Sequence, residues 1–111
     1  MESWQLRDKL INQLDIALST LRQNGLEWAE AEYEYRKLKS KEILRLKDEG
    51  YPVTVILDVV KGLDEVAELD LARNKAKVVY QANNEAINVK KLELRSIENE
   101  MSREWNNAQN E

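Results

Sequence analysis

The chain has no cysteine, no histidine and no phenylalanine, and only one proline and three glycines in 111 residues. Each shortage excludes something. Without cysteine there are no disulfides, no thiol nucleophile and no thiolate metal site. Without histidine the commonest general base and the commonest transition-metal ligand are missing. So few glycines and prolines leave little turn material, which predicts a small number of long, continuous elements. No apolar run approaches the ~20 residues that a membrane-spanning helix needs. The opening MESWQLRDKLINQ has neither the positive start nor the apolar stretch of a secretory signal, so the expectation is a cytoplasmic protein that does not engage a membrane. Basic and acidic side chains number 17 and 21, a formal net charge of −4, so no global field draws the chain to nucleic acid.

What is present is a seam. Val66, Leu69, Arg73, Ala76, Tyr80, Asn83, Ile87, Lys90, Leu94, Ile97 and Met101 alternate at steps of three and four, the rhythm of a helix buried along one stripe. A matching stripe runs through Leu10, Leu14, Ala17 or Leu18, Leu21, Trp28, Ala31, Tyr35 and Leu38, followed by Ile43 and Leu46. It crosses Asn24-Gly25 without losing phase, which predicts one long helix over about 3–49 with a soft point at Gly25; a break into two helices is the alternative. Gly50-Tyr51-Pro52 ends that helix, with Gly50 at the position after the C-cap. VTVILDVVKG is rich in β-branched residues but has no second strand to pair with. It reads as a short helix capped by Thr54 and ended by Gly62, folding Val55, Ile56, Val59 and Val60 over the turn. The seam helix covers about 63–107, with a frayed tail at 108–111.

Two long helices joined by a short capped connector predict an all-α antiparallel hairpin, a single domain over 1–111. Placing Glu49 opposite Leu63 sets paired residue numbers totalling about 112. In that register Ala29 and Ala31 lie level with Ala82 and Ala86, the basic stretch 36–47 faces the acids from Asp64 to Asp70, Glu30, Glu32 and Glu34 fall near Lys75 and Lys77, and Trp4 meets Trp105.

No residue set spells out a reaction, so no enzyme, cofactor or metal is expected. The acids Glu27, Glu30, Glu32 and Glu34 scatter around their helix and read as a solvated face, since helical di-metal sites need histidine on facing helices. In the basic run, Lys37, Lys41 and Arg45 share one helix face and are the candidate phosphate contacts; the competing reading has them facing Asp64 to Asp70. Arg73, Asn83 and Lys90 interrupt the apolar seam. Either they set register and partner choice, or the stripe drifts and Val79, Ala82, Ala86 and Val89 take over the buried face.

A two-helix hairpin cannot bury three tryptophans. Leu6, Ile11, Ile16, Leu26, Tyr33, Leu44, Leu71, Val78 and Leu92 lie off the main stripes and need cover. Dimerisation into a four-helix bundle is the economical solution. Trp4, Trp28 and Trp105, with Tyr51, Val55 and Val59 of the connector, are the candidate anchors for a partner protein.

At Gly50-Tyr51-Pro52-Val53-Thr54 and again at EAINVKKLELRSIENEMSREW the chain resembles small helical proteins encoded by bacteriophages and prophages of Gram-positive bacteria. That resemblance implies an accessory role in the host cytoplasm, in replication or recombination or in countering a host defence. Secreted helical hairpins of similar length carry a Trp-x-Gly turn, whereas the connector here reads Gly-Tyr-Pro. The expected function is non-enzymatic: a self-associating protein that binds a host or phage protein. The alternative is a nucleic-acid-associated accessory using the stretch 36–47.

Overall fold

The computed structural model describes residues 2–110, and all of its elements are helices: α1, Glu2–Asp48; α2, Val53–Lys61; and α3, Asp64–Asn110. α1 and α3 are 47 residues each and α2 is nine. The fold is the expected all-α hairpin, two long helices joined by a short one. α1 runs unbroken through Asn24-Gly25. α3 continues to Asn110, past the expected end near residue 107; the last residue of the expected tail, Glu111, lies outside the described residues. The contacts group into two compact units, one formed by Asn24–Tyr80 and the other by the described residues up to Gln23 together with those from Gln81 onward.

In the unit Asn24–Tyr80, α1 closes with a Schellman motif. The Gly50 N–H donates to the Lys47 carbonyl at 3.0 Å and the Tyr51 N–H to the Leu46 carbonyl at 3.1 Å. This geometry places Gly50 at a φ of 90°, which a residue without Cβ adopts at no steric cost. Pro52 follows at the N-cap of α2, with no side-chain cap. Thr54 is therefore not the cap: it lies inside the first turn, because the fixed φ of Pro52 already sets the helix start one residue after it. Gly62 ends α2 in a right-handed conformation, its N–H donating to the Val59 carbonyl. The Leu63 carbonyl then accepts from the Ala67 N–H at 2.8 Å and opens α3.

α2 is amphipathic in the helical sense. Ile56 and Val60, one turn apart, are buried with Tyr35, Leu46 and Val66, and Leu38, Ile43, Val59, Leu63 and Leu69 pack around them. Each such aliphatic side chain taken from water stabilises the fold by roughly 1.5–3 kcal/mol. Val53, Val55 and Leu57 are left outside, so Val55 does not join the cap over the turn.

The packing of α2 on the last turns of α1 corrects the register. Glu32 pairs with Arg73, numbers totalling 105, and the Trp28 ring lies against Tyr80, totalling 108. In the other unit Arg7 pairs with Glu98, totalling 105, and Gln13 with Lys90, totalling 103. Both units are antiparallel helix pairs about one heptad away from the expected 112. In the unit Asn24–Tyr80, Leu46 near the end of α1 is buried with Ile56 and Val60 of α2 as well as with Val66 of α3, so α2 occupies part of the space that the expected register gave to α3 alone. The expected levels change accordingly: Ala82 and Ala86 are exposed, and Ala31 and Ala76 occupy covered positions instead.

Candidate interaction surface

The seam is a strict heptad. Every predicted position on α3 from Val66 to Met101 is buried or half-buried, and of the other residues in that span all but Asp70 are exposed. Val79, Ala82, Ala86 and Val89 are exposed, so the drift reading fails. The stripe holds its phase because each polar seam residue finds a partner across the hairpin. Arg73 Nη1 donates to Glu32 at 3.4 Å, Nη2 donates to Asp70 at 2.5 Å, and the guanidinium carbon lies 4.2 Å from the centre of the Tyr35 ring. The hydrogen bond to Asp70, helped by the nearby Glu32 charge, raises the Arg73 pKa above its ordinary value against the cost of burial. Its Nε is buried without a hydrogen-bond partner. Asn83 Nδ2 donates to the Ala17 carbonyl at 3.4 Å and Lys90 Nζ to Gln13 Oε1 at 3.0 Å.

These contacts give two residues roles that the sequence reading missed. Glu32 belongs to the seam rather than to a solvated acidic face, accepting from both Arg36 and Arg73. Gln13 is the seat of Lys90. The step of three from Asp70 to Arg73 was a readable signal for one half of the Arg73 cluster; Glu32 became readable only with the correct register.

The candidate anchors separate into two groups. Trp4 and Trp105 come together as expected, lining an open cleft with Met101, Ser102, Glu104 and Ala108. They remain 53% and 65% exposed. The Arg7 guanidinium sits 5.7 Å from the centre of the Trp4 ring and 3.8 Å from Glu98, tying the Trp4 side of α1 to α3. Tyr51 and Val55 are also exposed. Trp28 and Val59 face inward instead. Trp28 is half-buried against Tyr80, ring centres 5.3 Å apart, and Val59 packs on the core beneath α2. Gly25 makes room for that aromatic pair: a Cβ on it would stand 3.3 Å from Tyr80. Gly25 is thus a close-approach position within a continuous helix.

In the basic stretch, Arg45 is held by Glu42 at 2.6 Å and Glu49 at 2.7 Å, both on its own helix. These hydrogen bonds raise its pKa, the one from Glu42 most. Lys37 lies 5.8 Å from the centre of the Tyr33 ring, and neither it nor Lys41 forms an ion pair among the described residues. Among the described residues this stretch forms no ion pair with Asp64 to Asp70, although Arg45 lines one cleft with Asp64 and Glu65; Asp70 turns to Arg73.

Off the seam the surface is apolar in many places. Leu6, Ile16, Leu26, Tyr33, Leu44, Leu71, Val78 and Leu92 are all exposed, as their positions predicted; Ile11 alone of that set is half-buried. Among the described residues no helix is long and apolar enough to cross a membrane, and no cluster of acids is arranged to hold a metal ion. The chain matches no protein-family model, no curated protein and no solved structure.

Proposed function

We propose that the chain is a non-enzymatic assembly protein of the cytoplasm, which associates with a second copy and captures another protein through its exposed aromatic end. The observation that carries this reading is the set of large apolar side chains left 40–73% exposed beside a seam that is already complete. A helix pair covers one stripe on each member, and contiguous apolar surface beyond that stripe marks an interaction site in a folded protein. Trp4 and Trp105 are suited to capturing a partner, because tryptophan dominates binding hot spots and these two share one cleft. The resemblance to phage proteins directs the search for the partner to host and phage proteins of a Gram-positive cell.

Affinity capture with the intact chain tests the reading. The double variant Trp4→Ala/Trp105→Ala is expected to keep its helicity by circular dichroism and to bind the captured partner at least about 30-fold more weakly, the effect of losing hot-spot residues worth ~2 kcal/mol. Trp28→Ala should instead lower stability, since that ring packs on Tyr80. Equal capture by wild type and the Trp4/Trp105 variant would overturn the assignment. Exposed Lys37 and Lys41 support a second, weaker reading as phosphate contacts; it requires DNA binding that falls steeply with salt and disappears in Lys37→Glu/Lys41→Glu.

A further inference from the structure

In the unit that pairs the start of α1 with the end of α3, Met101, Trp105 and Ala108 follow one another at steps of four and three on one helix face. With Ser102, Glu104 and Trp4 of α1 they line a cleft of about 400 Å³. Among the described residues the aromatic ring pair is Trp28 with Tyr80, so Trp4 and Trp105 share this cleft without stacking on each other. We infer that the cleft seats a lysine or arginine side chain of the captured protein. Its charged head lies by the indoles and Glu104, and its aliphatic stem lies along Met101 and Ala108. The inference rests on the partner capture proposed above and names the group that is recognised.

Charge selects the sign of the occupant. Glu104 is the charged residue of the lining, and it forms no ion pair among the described residues. Of the seven charged side chains in 2–8 and 98–108, five are acids; the bases are Arg7 and Arg103. Arg7 lies outside the lining and is already engaged, 3.8 Å from Glu98 and 4.0 Å from Asp8. The start of α1 adds a partial positive charge, which Glu2 in its first turn offsets. An anion would therefore meet Glu104 with no cation in the cleft to receive it, and like charges brought together oppose binding. A purely apolar occupant would fill the space and leave the carboxylate with less water and no partner.

The rings supply the other half of the recognition. A cation over an aromatic face is attracted by the ring quadrupole, and indole is the best such face. Trp4 already receives one cation, the Arg7 guanidinium at 5.7 Å from its ring centre. Lysine and arginine join a charged head to an apolar stem, which suits a cleft whose other walls are a thioether and a methyl group. Trp28 provides a contrast within the same chain. The cleft it lines carries Arg36, Arg73 and Lys77 against one acid, Glu32, so a cation is repelled there.

The indole N–H signals of Trp4, Trp28 and Trp105 are separate reporters in proton–nitrogen correlation spectra of the intact chain. N-acetyl-lysine amide and its uncharged counterpart, N-acetyl-norleucine amide, are the probes. The lysine probe is expected to move the Trp4 and Trp105 signals to saturation and to leave that of Trp28 in place. The norleucine probe should bind at least about fivefold more weakly, having neither the cation–π contact nor the ion pair. Glu104→Gln, at an exposed helical position, should weaken the lysine probe about threefold and leave the norleucine probe unchanged. Equal affinity for the two probes, full lysine affinity in Glu104→Gln, or no saturable movement of Trp4 and Trp105 would overturn the cationic occupant while leaving capture by the aromatic end standing. Partner capture undiminished in Trp4→Ala/Trp105→Ala would overturn both.

Discussion

Arg73 shows how a single charged residue can occupy an apolar seam. Its guanidinium covers the Tyr35 ring, and its two terminal nitrogens reach Glu32 and Asp70. Arg73→Ala removes all of these and leaves Glu32 half-buried with one fewer donor. The expected cost is about 1–3 kcal/mol, the usual cost of stranding a partly buried polar group, measured as a shift in the urea unfolding midpoint. The two informative glycines make opposite predictions. Gly50→Ala places a Cβ at a φ of 90°, with nothing nearby to clash, so its cost of about 1 kcal/mol is one of backbone strain alone. Gly25→Ala sits in mid-helix, where alanine is favoured by about 1 kcal/mol. Its new methyl group requires the Tyr80 ring to give by a few tenths of an ångström. Since Tyr80 is only half-buried, a small net gain in thermal stability is expected. A loss there would show that the Trp28–Tyr80 pair holds the ring fast.

At the scale of the helix, the seam was legible to the last residue and the register was not. Both follow from the same physics. A strict heptad places the right residues on the buried stripe, but sliding the partner by seven residues leaves every one of them on it. The choice between registers falls to features that do not repeat: the pairs Glu32–Arg73 and Gln13–Lys90, and the amount of α1 taken up by α2. Thr54 as a cap failed for a related reason, since the side-chain oxygen competes with a proline that already defines the helix start. The inward turn of Trp28 was implicit in its own stripe position, although its size suggested an anchor. The strict seam predicts a sharp contrast on α3. Ile87→Ala, at a position 1% exposed, should cost about 2–5 kcal/mol, whereas Val79→Ala, 51% exposed, should stay within about 0.5 kcal/mol. Equal costs in chemical denaturation would restore the drifting stripe.

For the molecule as a whole, the hairpin accounts for one stripe on each long helix and leaves apolar residues on the others. That surplus was legible in the sequence, because Leu71, Val78 and Leu92 lie off the seam by simple counting. Which of those residues the partner helix leaves uncovered was not legible, because that depends on the register. The central claim is therefore that the surface is completed by assembly. The most direct measurement is sedimentation equilibrium of the intact chain across a wide concentration range. A mass rising to twice 13.0 kDa is predicted. A constant mass of 13.0 kDa at every concentration would contradict the account.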